Sequence, residues 1–253
     1  MTYSLEQHRK DYSKVIADAR KDGTVEFLSW FDTSDSLEQS LKRGFWDFSI
    51  HMLTPTVCAL IDNPEKKTAL EIGYGGGRIL NAASCFFHHA VGIDIHDEME
   101  HVRTMLAHEG RHNFTLHKTD GTRFNGVESD AIDFVYSFIV LQHVPDFAVF
   151  ESYMRETYRV LKPGGVAQLY YGSWNKLGPK RMIKNILKPY VEIDAPPSAT
   201  TAFSSLVLKE RTVKKLAEEI GFAVRDTGRS YRGVPNGFPN VKSTQRYITL
   251  KKC

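Results

Sequence analysis

Thr68-Ala-Leu-Glu-Ile-Gly-Tyr-Gly-Gly-Gly77 decides the fold of this chain. An apolar run ends in a carboxylate, Glu71, and then in a turn carrying Gly73, Gly75, Gly76 and Gly77. A helix-like segment follows over residues 78–87, and a second apolar run, Ala90-Val-Gly-Ile-Asp94, ends in another acid. Strand, glycine turn, helix, strand, acid is how a doubly wound sheet builds a nucleotide-type site at the carboxyl ends of its strands. The glycines let backbone approach a ligand where any Cβ would clash.

The glycine spacing separates two ligand readings. A dinucleotide fingerprint needs G-x-G-x-x-G, with a pyrophosphate resting on the helix N-terminus. Counted from Gly73, the third glycine falls on Arg78, a bulky side chain where close helix–strand packing is wanted. The pattern is instead E-x-G-x-G-x-G. A carboxylate just before the turn repels a pyrophosphate but suits a ligand with an ammonium or sulfonium centre and hydroxyls. S-adenosylmethionine meets that description, and a nicotinamide dehydrogenase is disfavoured on the same ground.

With these features the chain resembles the class I S-adenosylmethionine-dependent methyltransferases of small-molecule type. Glu71, Gly73, Gly75 and Gly77 match the first motif of that family, and Asp94 its ribose-binding acid. Asp120, in Thr119-Asp-Gly-Thr122, matches the acid that usually meets the adenine amino group. Ile132-Asp-Phe-Val-Tyr-Ser137, Val140-Leu-Gln-His-Val144 and Tyr158-Arg-Val-Leu-Lys-Pro-Gly-Gly165 follow in family order. The resemblance covers about residues 67–172. It implies S-adenosylmethionine as cofactor, held by Glu71, Gly73, Tyr74, Gly75, Gly77, Asp94, Ile95, Asp120, Gly121 and Ser137. It also implies a Rossmann-like α/β sheet of about seven strands, ending in an antiparallel one.

Outward from the motif, residues 1–66 read as a helical N-terminal extension, with Leu5, Val15, Ile16 and Ala19 set among charges and an unusual density of aromatics, Trp30 and Trp46 included. Strands are expected at 68–72, 90–94, 113–117, 131–137 and 165–171, and helices at 77–87, 97–109 and 147–161. Such alternation implies a parallel sheet with crossover helices. Residues 172–205 are too long for a minimal link and read as a partly helical substrate cap. A helix at 210–220, stopped by Gly221, and strands at 222–227 and 245–250 complete a single domain over 1–253.

At 253 residues, 42% apolar and 25% charged, the composition is that of an ordinary soluble globular protein. A formal charge of +3 demands neither a nucleic-acid nor a membrane partner. Cys58, Cys85 and Cys253 show no metal spacing, and their odd number fits a reducing compartment. Cys85 lies in an apolar helical run and is expected in the core. With no apolar leader at the N-terminus and no run of spanning length, the expected location is the cytoplasm. No membrane partner is expected, and the oligomeric state is not legible.

Methyl transfer from a sulfonium is a displacement governed by positioning. The resemblance places the loop after the fourth strand near the methyl group, so His143 is the candidate base and Gln142 its neighbour. Trp30, Trp46, Gln142, Tyr171 and Trp174 are the candidate acceptor contacts. A divalent-metal set is unsupported, because Ile139 and Gln142 stand where some relatives carry acids. The Asn/Asp-Pro-Pro-aromatic motif of base and glutamine methylation is replaced by Ser137-Phe-Ile-Val140. The expectation is O-methylation of a sugar or secondary metabolite. The alternatives are an RNA-modifying enzyme, for which Lys176, Lys180, Arg181, Lys184 and Lys188 would follow the phosphates, and a cofactor-binding scaffold without turnover.

Overall fold

The computed structural model describes residues 4–193, 197–198, 205–229 and 246–253. Four helices come first: α1 (Leu5–Asp22), α2 (Thr24–Asp32), α3 (Leu37–Asp47) and α4 (Pro55–Leu60), with a π-helical turn at Phe48–Met52. The core then alternates β1 (Thr68–Ile72), α5 (Arg78–Phe86), β2 (His89–Asp94), α6 (Met99–His108), β3 (Phe114–Lys118), β4 (Ile132–Ser137), α7 (Phe147–Val160) and β5 (Leu161–Tyr171). A cap follows with α8 (Pro179–Lys184), β6 (Tyr190–Glu192) and β7 (Leu206–Leu208). The chain closes with α9 (Glu210–Ile220), β8 (Phe222–Arg229) and β9 (Arg246–Lys252).

Seven strands form one sheet in the order β3-β2-β1-β4-β5-β9-β8. The first five are parallel, and β9 runs antiparallel to both β5 and β8. The expected α/β architecture with an antiparallel finish is therefore observed. Strand order reverses between β1 and β4, which opens the crevice where such sheets take ligands. β1 and β4 are almost wholly buried, as strands covered on both faces must be. Helix packing on each face gives two apolar clusters, one around Leu70, Val135 and Met154, the other around Ala69, Phe134 and Tyr136.

Several expectations shift. β5 begins at Leu161, four residues earlier than the sequence suggested, because Leu161 pairs with Ile132 ahead of a register shift. The expected strand at 245–250 is Arg246–Lys252, and Gln245 lies outside the described residues. The cap contains a two-stranded ribbon, β6 with β7, as well as helix; its residues 194–196 and 199–204 lie outside the described ones. Cys85 is exposed rather than in the core, since the face of α5 that carries it points away from the sheet. Among the described residues no helix is long and apolar enough to cross a membrane.

The extension is tied down rather than loosely appended. Ser4 and Ser36 cap α1 and α3 by accepting from the backbone N–H groups of Gln7 and Gln39, each at 3.2 Å. Gly44 lets α3 approach the start of α5: a Cβ there would stand 2.1 Å from the carbonyl oxygen of Arg78.

Candidate active site

A cavity of about 160 Å³ opens at the carboxyl ends of β1 and β2. Its floor is the glycine turn. The Gly73 N–H donates to the Ile93 carbonyl at 2.8 Å, joining the two strand ends. Gly73 has φ +74°, and a Cβ there would press to 2.4 Å from Val140 Cγ2. Asp94 fastens the turn from the second strand, accepting the Gly75 N–H at 2.8 Å on Oδ2 and its neighbour Ile95 N–H at 2.7 Å on Oδ1. His96 completes the clasp. Its Nδ1 accepts from the Glu98 N–H at 3.1 Å, so its Nε2 carries the proton and donates to the Gly75 carbonyl at 3.1 Å.

Glu71 stands at the end of β1, buried, accepting the Tyr136 hydroxyl at 3.2 Å. Burial pushes its carboxyl up to about 8, against the opposing pull of Arg78. Without ligand Glu71 is therefore neutral at physiological pH. Unfolding frees it to ionise at an ordinary carboxylate value. Its contribution to stability is full below about pH 4.5 and is lost as the pH rises through about 8. Glu71→Gln should remove that part of the decline, so the parent's urea midpoint should fall relative to the variant's between those limits. Parallel curves would reject the buried neutral acid.

The roof comes from the N-terminal extension. Leu5, His8, Tyr12 and Ile16 lie on one face of α1 and line the cavity, joined by Trp30 and Phe31 of α2. Trp30 donates its indole N–H to the Ser198 carbonyl at 3.3 Å, linking roof to cap. His8 and Tyr12 face His143 across the cavity, with the Tyr12 and His143 ring centroids 6.4 Å apart. Burial, and secondarily His143, pull His8 down to about 4, so it is neutral at pH 7. The Tyr12 and Tyr74 hydroxyls are buried and make no hydrogen bond among the described residues.

His143 sits in the turn after β4, its N–H donating to the Val140 carbonyl at 2.8 Å. Ile139 in this turn adopts φ +58°, a strained conformation for a β-branched residue. A polar chain runs back from His143. The ammonium of Lys176 donates to Gln142 Oε1, which turns the amide so that Gln142 Nε2 donates to His143 Nε2 at 2.9 Å. An amide nitrogen only donates, so His143 accepts there and carries its proton on Nδ1. Burial brings Lys176 down to about 8.

Behind the turn lies an ionic cluster that spacing did not reveal. Arg78, read in the sequence only as a misplaced bulky residue, pairs with Asp47 of α3 and, at 3.4 Å, with Asp32 of α2. Asp32 also accepts from Ser40 Oγ at 2.6 Å and the Ser34 N–H at 2.9 Å. Arg78 lines the cavity itself, so roof helices and ligand site share one side chain.

The cavity gathers Glu71, Gly73, Tyr74, Gly75, Asp94, Ile95, Gly121, Trp30 and His143 of the expected residues. Others lie elsewhere. Gly77 makes the left-handed turn into α5, and Ser137 is buried in β4. Asp120 spends Oδ1 on the backbone of Thr122 at 2.8 Å and Arg123 at 2.9 Å, a turn-forming role, and does not line the cavity. Trp46 is 41% exposed on α3, whose buried face carries Ser40, Arg43 and Gly44 instead. Tyr171 is wholly buried in the core, and Trp174 lies under the Lys209 ammonium at 4.5 Å. Gln142 backs His143 rather than facing the cavity. Sequence reading missed the His8–Tyr12 face of α1, although its 5, 8, 12, 16 spacing was there to be found.

A methyltransferase domain family model matches residues 70–169. The chain is 24% identical over 163 residues to phosphoethanolamine N-methyltransferase 2 of Caenorhabditis elegans, covering 61% of this chain and 37% of that one. It is 25% identical over 177 residues to the ubiquinone biosynthesis O-methyltransferase of Hahella chejuensis, covering 67% and 72%. A second ubiquinone biosynthesis O-methyltransferase, from Aromatoleum aromaticum, matches at 25% over 54% of this chain and 59% of its own length. The chain thus spans between about a third and three quarters of the curated relatives it matches. Among solved structures it resembles an S-adenosylmethionine-dependent methyltransferase from Methanosarcina mazei, with TM-score 0.60 and 21% identity over 79% of this chain and 97% of that one. One from Listeria monocytogenes matches with TM-score 0.58 and 16% identity over 84% and 99%.

The cavity fits the cofactor of that family. The Asp94 carboxylate, the buried Glu71 acid and an Arg78 already paired with Asp47 line its floor, which suits an ammonium and a hydroxyl pair better than a pyrophosphate. Asp94 keeps lone pairs beyond those given to Gly75 and Ile95. The glycine cradle would be filled by any Cβ, and two phenols wait with hydrogen bonds unspent. Residues 70–169 therefore carry a methyltransferase domain by the family model that matches them, on a fold shared with S-adenosylmethionine-dependent methyltransferases.

Proposed function

We propose that the protein methylates a hydroxyl of a small metabolite, with His143 as the general base. One observation carries this reading: His143 stands at the cavity wall opposite His8 and Tyr12, while the acids that suit the cofactor lie on the floor. When bound, the cofactor supplies an electrophilic methyl group. Glu71 and Asp94 orient it, the roof of α1 and α2 excludes water, and His143 takes the acceptor's proton. The acceptor's wall is made of Leu5, Tyr12, Ile16, Trp30, Phe31 and Phe138. Such a wall suits an apolar or aromatic body, as in a secondary metabolite, better than a sugar, whose hydroxyls need many polar partners. The relatives include an O-methyltransferase of ubiquinone biosynthesis and a phosphoethanolamine N-methyltransferase, so methyl transfer to oxygen and to nitrogen both occur among them.

Calorimetry with S-adenosylmethionine and S-adenosylhomocysteine tests the cofactor half. A panel of phenols, alkyl alcohols and sugars, followed by S-adenosylhomocysteine release, tests the acceptor half. Micromolar binding and preference for apolar hydroxyls are expected; absence of binding, or preference for sugars, overturns the corresponding half. Asp94→Ala should weaken cofactor binding by about 1–3 kcal/mol, since it unfastens Gly75 and strands polar partners. Unchanged affinity would remove Asp94 from the site.

A further inference from the structure

The most exposed large apolar side chains in the described structure cluster in the cap. Ile183 is 72% exposed, Ile186 64% and Leu187 90%, on the end of α8 and the turn after it. Such a group of bare aliphatics marks an interaction site rather than ordinary surface. Lys180, Arg181, Lys184 and Lys188 surround them, all exposed. Residues 172–191 contain no acid, and the first one beyond, Glu192, accepts from the Phe147 N–H at 3.0 Å.

The tip is built to hold this shape. Leu177 and the side chain of Asn185 are buried beneath it. Asn185 donates from Nδ2 to the Arg181 carbonyl at 2.9 Å, and Lys209 donates to the Ile186 carbonyl. The Lys188 N–H closes the turn on the Asn185 carbonyl at 2.8 Å. With its polar groups satisfied inward, the turn presents its aliphatics outward.

We propose that this tip docks the protein on an anionic lipid surface, Ile183, Ile186 and Leu187 entering the acyl boundary while Lys180, Arg181, Lys184 and Lys188 meet the headgroups. Aliphatic tips with a basic surround are the chemistry of interfacial binding, in which apolar area and attraction to anionic lipid add. Nucleic acid is the poorer fit, because strands bind through aromatic stacking platforms and the exposed residues here are aliphatic. The attachment is peripheral, in keeping with the lack of a spanning helix among the described residues, and it revises the expectation of no membrane partner. The cap that carries this tip touches the transfer loop through Lys176, whose ammonium donates to Gln142 Oε1.

The test is co-sedimentation of the full chain with vesicles of phosphatidylcholine alone and of phosphatidylcholine with phosphatidylglycerol. Binding to the mixed vesicles and little to the neutral ones is expected. Leu187→Ser should weaken it on the order of tenfold, the transfer of one large aliphatic. Replacing Lys180, Arg181, Lys184 and Lys188 together by Gln should weaken it at least on the order of 100-fold. No vesicle binding, equal binding to both compositions, or variants that bind like the parent would each overturn the proposal. So would binding of single-stranded RNA that the Gln variant abolishes while vesicles are ignored. Calorimetry of the same variants with S-adenosylhomocysteine should match the parent, which separates failure here from failure of the methyl-transfer reading.

Discussion

Replacing Arg78 with methionine should destabilise the protein by about 3–5 kcal/mol, the cost of stranding a buried charge partner. Arg78 is 11% exposed and Asp32 not at all, and both Asp32 and Asp47 lean on the same guanidinium. Removing it leaves two carboxylates in a low-dielectric pocket with only Arg43 and neutral donors nearby. Methionine fills much of the volume, so the loss reports charge rather than a cavity. Urea unfolding at pH 7 reads it as a lower midpoint with unchanged slope. A loss below about 1 kcal/mol would mean that the cluster is solvated like a surface pair. Adding Asp47→Asn to the variant should restore part of the stability, because it removes one of the stranded charges. The same substitution should loosen α2 and α3 from α5 and so weaken cofactor binding, since Arg78 also lines the cavity.

Arg78 also shows where sequence reading stops. Its spacing after the glycines was enough to reject the dinucleotide site, a conclusion that depends only on local backbone geometry. Its partners lie in the extension and meet it only when α3 packs on α5, which no local pattern announces. The legible features share that local character: Glu71 and Asp94 at strand ends, Gly73 in a left-handed turn, Gly221 stopping α9. The misplaced ones depend on which face a helix turns inward. Trp46 was counted among pocket aromatics, yet α3 buries Arg43 and Gly44 for the ionic cluster and leaves the indole outside. Cys85 misled in the same way on α5. Asp120 carried a family role and a turn signal at once, and the Asp-Gly turn holds its carboxylate.

His143→Ala should lower turnover by about 10²–10⁴-fold, the usual worth of a general base, while leaving cofactor affinity nearly unchanged. Two features of its surroundings sharpen the expectation. The Lys176 ammonium holds the Gln142 amide so that its Nε2 donates to His143 Nε2, which leaves the imidazole proton on Nδ1. The same amide occupies the Nε2 lone pair while Nδ1 carries the proton, so uptake of the acceptor's proton requires the imidazole and the Gln142 amide to part first. A pH profile of kcat/KM should therefore fall on the acid side as His143 becomes protonated, and that limb should be missing in the variant. His143→Gln keeps the polarity and much of the shape without the basicity. If it retains turnover within about threefold, imidazole basicity is not used, and His143 holds the transfer loop in place instead. If it is as slow as His143→Ala while S-adenosylhomocysteine still binds normally, the proton passes to His143.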